Sequence, residues 1–216
     1  MHVCQPSGCA FETPAETRML ETSVMDIVAK VSPGTDPPEV EARIVLTESS
    51  LAMLFTEFSK TNAWKSTRTY IVQDLYLPGD QRVRRMNTGD LTEVQTVEKK
   101  RIWKTDAFGA AITVKSETPV EVSDTAPTLV DVRHVRFAER EDYETEGFMY
   151  TLSKAWGGSS TQEVRAKCAA GRPPDEYALE IEILNHADDG ATGRCPRYKL
   201  HSLLLKVFQI IEMVGK

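Results

Sequence analysis

Two short stretches of this 216-residue chain place acidic residues two positions apart on segments that otherwise read as protein interior. In "PPEVEARIVL" these are Glu39 and Glu41, followed by Arg43; in "EYALEIEIL" they are Glu180 and Glu182. A period of two belongs to a β-strand, whose successive side chains point to opposite faces, so each glutamate pair shares one face. Val40, Ala42, Ile44 and Leu46 then oppose the first pair, and Tyr177, Leu179, Ile181 and Ile183 oppose the second. A half-exposed sheet with its charges in water is one explanation. Like-charged pairs on one strand face nevertheless repel unless a cation sits between them. Four such carboxylates can hold a hard divalent cation through oxygen, which points to Mg²⁺ or Mn²⁺.

Basic residues complete the chemistry. "QRVRRM" puts Arg82 and Arg84 on one face and "VEKKRIWK" does the same for Lys99 and Arg101, so residues 82–104 hold seven basic side chains against three acidic ones in a chain of net charge −6. "DVRHVRF" adds Arg133 and Arg136, which fall on opposite faces unless a bulge intervenes, so one of the two is expected to face inward. In "AITVKSE", Thr113, Lys115 and Glu117 oppose Ile112, Val114 and Ser116. Carboxylates at one end with guanidinium and ammonium groups along the other walls make a site for a cation bound to a polyphosphate. Phosphoryl transfer needs those parts: positioning, neutralised phosphoryl oxygens and an aligned water.

The elements that position these residues are legible in outline. Helical periodicity marks "RMLETSVMDIVAKV" (Leu20, Val24, Ile27, Val31), "ESSLAMLFTEFSK" (Leu51, Leu54, Phe55, Phe58) and "YKLHSLLLKVFQIIEMVGK" (Leu200, Leu203, Leu204, Val207, Phe208, Ile211). Between them the period falls to two, predicting eight strands near 38–46, 68–77, 80–87, 94–104, 110–118, 129–138, 146–154 and 176–184. "PGD" and "NTGD" suggest hairpins, hence antiparallel pairing, and 155–175 and 185–196 read as long loops. Apolar helix stripes need apolar strand faces to cover, which leaves the polar faces pointing inward. The expectation is an α+β fold, mostly antiparallel, with an eight-stranded closed tunnel barrel of hydrophilic interior flanked by helices.

The length suits a single domain over 1–216, with 1–14 as a flexible N-terminus. No run approaches 18 apolar residues and the N-terminus lacks the regions of a signal peptide, so an intracellular protein without a membrane partner is expected. The acidic balance argues against non-specific coating of nucleic acid. Cys4, Cys9, Cys168 and Cys195 show no metal-ligand spacing and read as reduced thiols. No feature fixes the oligomeric state.

"EVEAR" and "ALEIEI", in order with "RVR", "EKKRI", "VKSETPVE", a basic strand and "FMYTLSK", resemble the triphosphate tunnel metalloenzymes. Within them the order is similar to the metal-dependent mRNA-capping RNA 5′-triphosphatases of fungi and protozoa. The resemblance implies metal coordination by Glu39, Glu41, Glu180 and Glu182. It implies phosphate contacts from Arg82 or Arg84, from Lys99 or Arg101, from Lys115 on the same face as Glu117, and from Arg133 or Arg136. Glu117 would orient or activate the attacking water, with Arg84 and Arg136 beside it as catalytic cations. The implied substrates are the 5′-triphosphate end of nascent RNA and nucleoside triphosphates, the implied partner an RNA guanylyltransferase, and the implied location the nucleus.

The chain also departs from that pattern. An Arg-x-Asp-x-Thr run on the penultimate strand is replaced by Met149, Thr151 and Ser153, and "VRHVRF" does not reproduce the family's Arg-x-Lys-x-Arg cleanly. The rival readings are another tunnel enzyme, acting on thiamine triphosphate or inorganic tripolyphosphate, and a non-catalytic barrel that binds polyphosphate or RNA. Arg43 stands where the small-substrate enzymes carry Lys in Glu-x-Glu-x-Lys.

Overall fold

A computed structural model describes residues 15–30, 38–78, 81–88, 92–119, 132–184 and 197–215. The expected flexible segment 1–14 lies outside them. The described elements run α1 (Ala15–Lys30), β1 (Glu39–Leu46), α2 (Glu48–Ser59), β2 (Ser66–Tyr76), β3 (Gln81–Asn87), β4 (Thr92–Ala107), β5 (Ala110–Pro119), β6 (His134–Thr145), β7 (Phe148–Gly158), α3 (Thr161–Ala169), β8 (Glu176–Ile183) and α4 (Arg197–Met213). The protein is α+β and mostly antiparallel. Its strands pair in the order β1-β5-β4-β3-β2-β6-β7-β8, the order of a closed barrel, with β1 bonded to both β5 and β8.

Two of the sequence expectations shift. The strand expected over 129–138 is found at His134–Thr145, because Val132 and Arg133 precede it as irregular chain and the alternation continues through Arg140 and Asp142. The loop expected over 155–175 contains α3, which is set by its cap rather than by apolar period. Ser160 Oγ accepts from the Glu163 amide at 3.2 Å, Glu163 reaches back to the Ser159 amide at 2.8 Å, and Val164 is the helix's buried residue. Gly157 and Gly158 allow α3 and β6 to come close to β7. A Cβ on Gly157 would meet His134 at 2.9 Å, and one on Gly158 would meet Glu163 and Val164 at 2.9 Å.

The main core lies between helices and the outer faces of β1, β5, β7 and β8. Val24 and Val28 of α1, Leu51, Leu54 and Phe58 of α2, and Leu200, Leu203, Leu204 and Val207 of α4 pack there against Val40, Ile44, Ile112, Leu152, Leu179 and Ile181. Phe58 also meets Trp64, Tyr143 and Tyr150 at ring separations of 5.1 to 5.8 Å. Phe208, expected on the buried stripe of α4, is 49% exposed, while Ile210 and Ile211 turn inward. Ile27 and Phe55 are half-buried, and Val31 lies outside the described residues. A smaller core of Leu75, Val83, Val135, Trp156 and Val164 sits under α3.

Turn chemistry closes the hairpins. Phe108 (φ 54) and Gly109 (φ 78) form the two-residue turn between β4 and β5, and consecutive positive φ values match the right-handed twist of the flanking strands. No helix among the described residues is long and apolar enough to cross a membrane.

Candidate active site

The inner strand faces surround a cavity of about 1610 Å³. On one wall β1 and β8 run antiparallel, with Glu41 across from Glu182 and Arg43 across from Glu180. Glu39, Glu41, Glu180 and Glu182 all line the cavity. Their strands alternate because the opposite faces carry the apolar residues of the main core.

The carboxylates are charge-compensated at short range. Lys115 Nζ donates to Glu41 Oε1, and Thr113 Oγ1 donates to the same oxygen at 3.2 Å. Arg43 donates to Glu180 Oε1 and to Glu176. Arg140 lies 3.5 Å from Glu180 Oε2, and Arg136 donates to Glu176 at 3.3 Å. Burial alone would raise the Glu180 carboxyl, yet Arg140, then Arg43, Lys115 and Arg136, hold it well below the usual carboxylate range. Among the described residues, no three His, Cys, Asp or Glu side chains converge closely enough to hold a metal ion.

The opposite wall carries the cations. Arg84 binds Asp74 in a two-pronged contact, Nε to Oδ1 at 2.7 Å and Nη2 to Oδ2 at 3.0 Å, with Arg82 Nε 3.7 Å from Oδ1. Burial opposes ionisation of Asp74, but Arg84 first and then Arg82 and Arg140 keep its carboxyl below the ordinary Asp value. Arg82 and Arg84 therefore both line the cavity, as β3's alternation predicts, while Arg85 points out and is exposed.

Arg101 also lines it, and so does Lys104, three positions on. The register of β4 slips between Arg101 and Trp103, and this bulge puts both on one face. Lys104 was hidden from a strict period of two. Arg133 and Arg136 both line the cavity as well, where one was expected. Arg133 precedes β6, so strand alternation does not apply to it. Lys99 and Glu117 face each other across β4 and β5, but their side chains lie outside the described residues.

Sequence reasoning missed a third cluster. On β6, Arg136, Ala138, Arg140 and Asp142 share the inner face, and on β2 so do Arg68, Tyr70 and Asp74. Asp142 is buried and accepts from Thr151 Oγ1 at 2.7 Å, Tyr70 Oη at 3.2 Å and Arg68 Nη2 at 3.1 Å. Arg136-Ala138-Arg140 has the Arg-x-Lys-x-Arg spacing with alanine in the middle. The alternation in "RFAERED" is a usable signal, but a strand expected to end at 138 does not reach Arg140 and Asp142.

No protein-family model matches the sequence, and no curated protein matches it. Solved structures do. The mimivirus capping enzyme triphosphatase superposes with a TM-score of 0.64 at 15% identity, covering 90% of this chain and 97% of its own. The Schizosaccharomyces pombe RNA triphosphatase Pct1 gives 0.65 at 16% identity, covering 94% of each chain. A chain of the S. pombe Mediator head module gives 0.52 at 12%, covering 82% of this chain and 95% of that one. The likeness is one of fold: this chain has the fold of the mimivirus and S. pombe RNA triphosphatases.

Proposed function

We propose that the chain is a metal-dependent mRNA 5′-triphosphatase, a tunnel enzyme that hydrolyses the β–γ phosphoanhydride of 5′-triphosphate RNA at the start of cap formation. The observation that carries this reading is one cavity with Glu39, Glu41, Glu180 and Glu182 on adjoining strands and Arg82, Arg84, Arg101, Lys115 and Arg136 around them. The fold shared with two RNA triphosphatases supports it. Free nucleoside triphosphates are expected as further substrates. An RNA guanylyltransferase is the expected partner and the nucleus the expected location.

The chemistry of the donor set, carboxylate oxygens on two neighbouring strands facing one cavity, suits a hard divalent cation; among the described residues no three of them converge, so a bound cation would draw them together in competition with Lys115 on Glu41 and Arg43 on Glu180. Glu39, Glu41, Glu180 and Glu182 would hold Mg²⁺ or Mn²⁺, which when bound neutralises charge on the phosphoryl oxygens. The remaining work falls to the chain. Arg82, Arg101, Lys115 and Arg133 bind the triphosphate oxygens. Arg84 and Arg136, each already fixed by a carboxylate, present their guanidinium groups to the charge that spreads over the γ-phosphoryl group. Glu117 orients the water; the water oxygen bonds to the γ-phosphorus as the bond to the β–γ bridging oxygen breaks. The bridging oxygen leaves on the RNA diphosphate, and the water's proton passes to the Glu117 carboxylate.

Phosphate release from 5′-triphosphate RNA, ATP, thiamine triphosphate and tripolyphosphate, with and without EDTA, tests the reading. Metal-dependent release that is fastest on RNA is expected. Preference for thiamine triphosphate or tripolyphosphate would move the chain to the other tunnel enzymes. The second reading, a non-catalytic barrel within a larger assembly, is favoured by the uncharged Met149 and Thr151 and by the fold shared with a Mediator head chain. If no substrate gave metal-dependent release, both enzyme readings would be removed.

A further inference from the structure

The family pattern puts a carboxylate on the penultimate strand at the place of Thr151, where this chain has a hydroxyl. Directly across from Thr151 on β6 stands Asp142, 5% exposed, and the Thr151 hydroxyl donates to it. Asp142 also accepts a hydrogen bond from the Tyr70 hydroxyl. Tyr70 on β2 in turn stands directly across from Arg140 on β6, and both face the cavity. Arg140 faces the cavity with one Nη on Glu180, while its buried Nε has no hydrogen-bond partner among the described residues. A guanidinium held by Glu180 and flanked across the strand by Tyr70, with a buried donor left over, is arranged for an anionic oxygen inside the cavity.

We propose that Asp142 is the positioning carboxylate of this site, which fixes the Tyr70 hydroxyl and through it orients Arg140 toward the substrate's phosphate. The carboxylate missing from β7 is thus supplied one strand away, and Thr151 serves as one of its donors. Arg68, stacked over the Tyr70 ring at 4.5 Å, closes the group on its solvent-exposed side. Asp142 itself touches no reacting atom. The proposal rests on the triphosphatase reading given above.

A double-mutant cycle tests it, with kcat and KM on 5′-triphosphate RNA and the melting shift caused by tripolyphosphate read for each protein. Asp142→Ala and Tyr70→Phe are each expected to lower kcat by about tenfold, and the double variant to be no slower than the worse single one, because both act on the same arginine. Asp142→Asn, which keeps an oxygen for Tyr70 and Thr151, should recover most of the rate. Unchanged kcat in Tyr70→Phe, or fully additive losses, would overturn the proposal, as would a lower melting temperature with normal kcat. Should Asp142→Ala not fold, Tyr70→Phe and Asp142→Asn decide by the same criteria. A wild-type protein that neither releases phosphate nor is stabilised by tripolyphosphate removes the triphosphatase reading and this proposal together; an active wild type with an additive cycle removes only this one.

Discussion

The two halves of the barrel are held by different physics. β1, β5, β7 and β8 are backed by α1, α2 and α4 through a continuous apolar core, and this half carries the four glutamates. β2, β3 and β4 have a thinner backing: α3 covers a small cluster, and Ile71, Val94 and Arg85 remain exposed on the outer face. The inner cations there are held by carboxylates, Arg84 and Arg82 on Asp74 and Arg68 on Asp142. Like-charged glutamates need a stiff frame to stay close together, and close packing provides it. Cations set by ion pairs, as here, are fixed in direction without filling the cavity.

The largest test of this contrast is chemical. Glu182→Ala should cut kcat on the order of 10³-fold, as expected when several kcal/mol of charge stabilisation are lost, while the melting temperature stays near wild type because the side chain faces the cavity and its removal opens no void in the apolar core. A near-normal rate would mean that the carboxylate half does not hold the metal. Next in size is packing. Leu204→Ala, at a position 2% exposed, should cost about 2–5 kcal/mol by chemical denaturation. Phe208→Ala on the same helix should stay within about 0.5 kcal/mol. Equal costs would show that the helical backing is not what holds that half.

The smallest effect is electrostatic. Asp74 titrates below its ordinary value of 3.8 in the folded chain. Protonation is therefore harder folded than unfolded, and the stabilisation is complete above the unfolded value and lost as pH falls below it. Melting temperatures between pH 5 and pH 3 should fall less steeply for Asp74→Asn than for wild type; parallel curves would deny the ion-paired half its anchor.

Much of this was legible because strand alternation is a hard geometric rule. It places Glu39, Glu41, Glu180, Glu182, Arg82 and Arg84 on inner faces without any knowledge of pairing. It fails where the backbone breaks period, at the bulge that admits Lys104 and at Arg133 ahead of β6. α3 escaped since "TQEVRAKCA" offers one buried apolar side chain, although Ser160 and Glu163 spelled its cap. The alternation in "RFAERED" does put Arg140 and Asp142 on one face; what lay out of reach was which residues stand across from them, Thr151 and Tyr70, because cross-strand register is a property of the folded sheet.

The pairing order has a consequence for how the molecule comes into being. β2 to β5 form one meander and β6 to β8 another, each built from neighbours in sequence, whereas β1 belongs to neither and is bonded to β5 on one side and β8 on the other. β1 therefore waits for β8, more than 100 residues further along the chain, before both its edges are satisfied. Such long-range closure is entropically late and slow. The two glutamate pairs meet only at that step, so a growing chain would have no assembled centre until the barrel is complete.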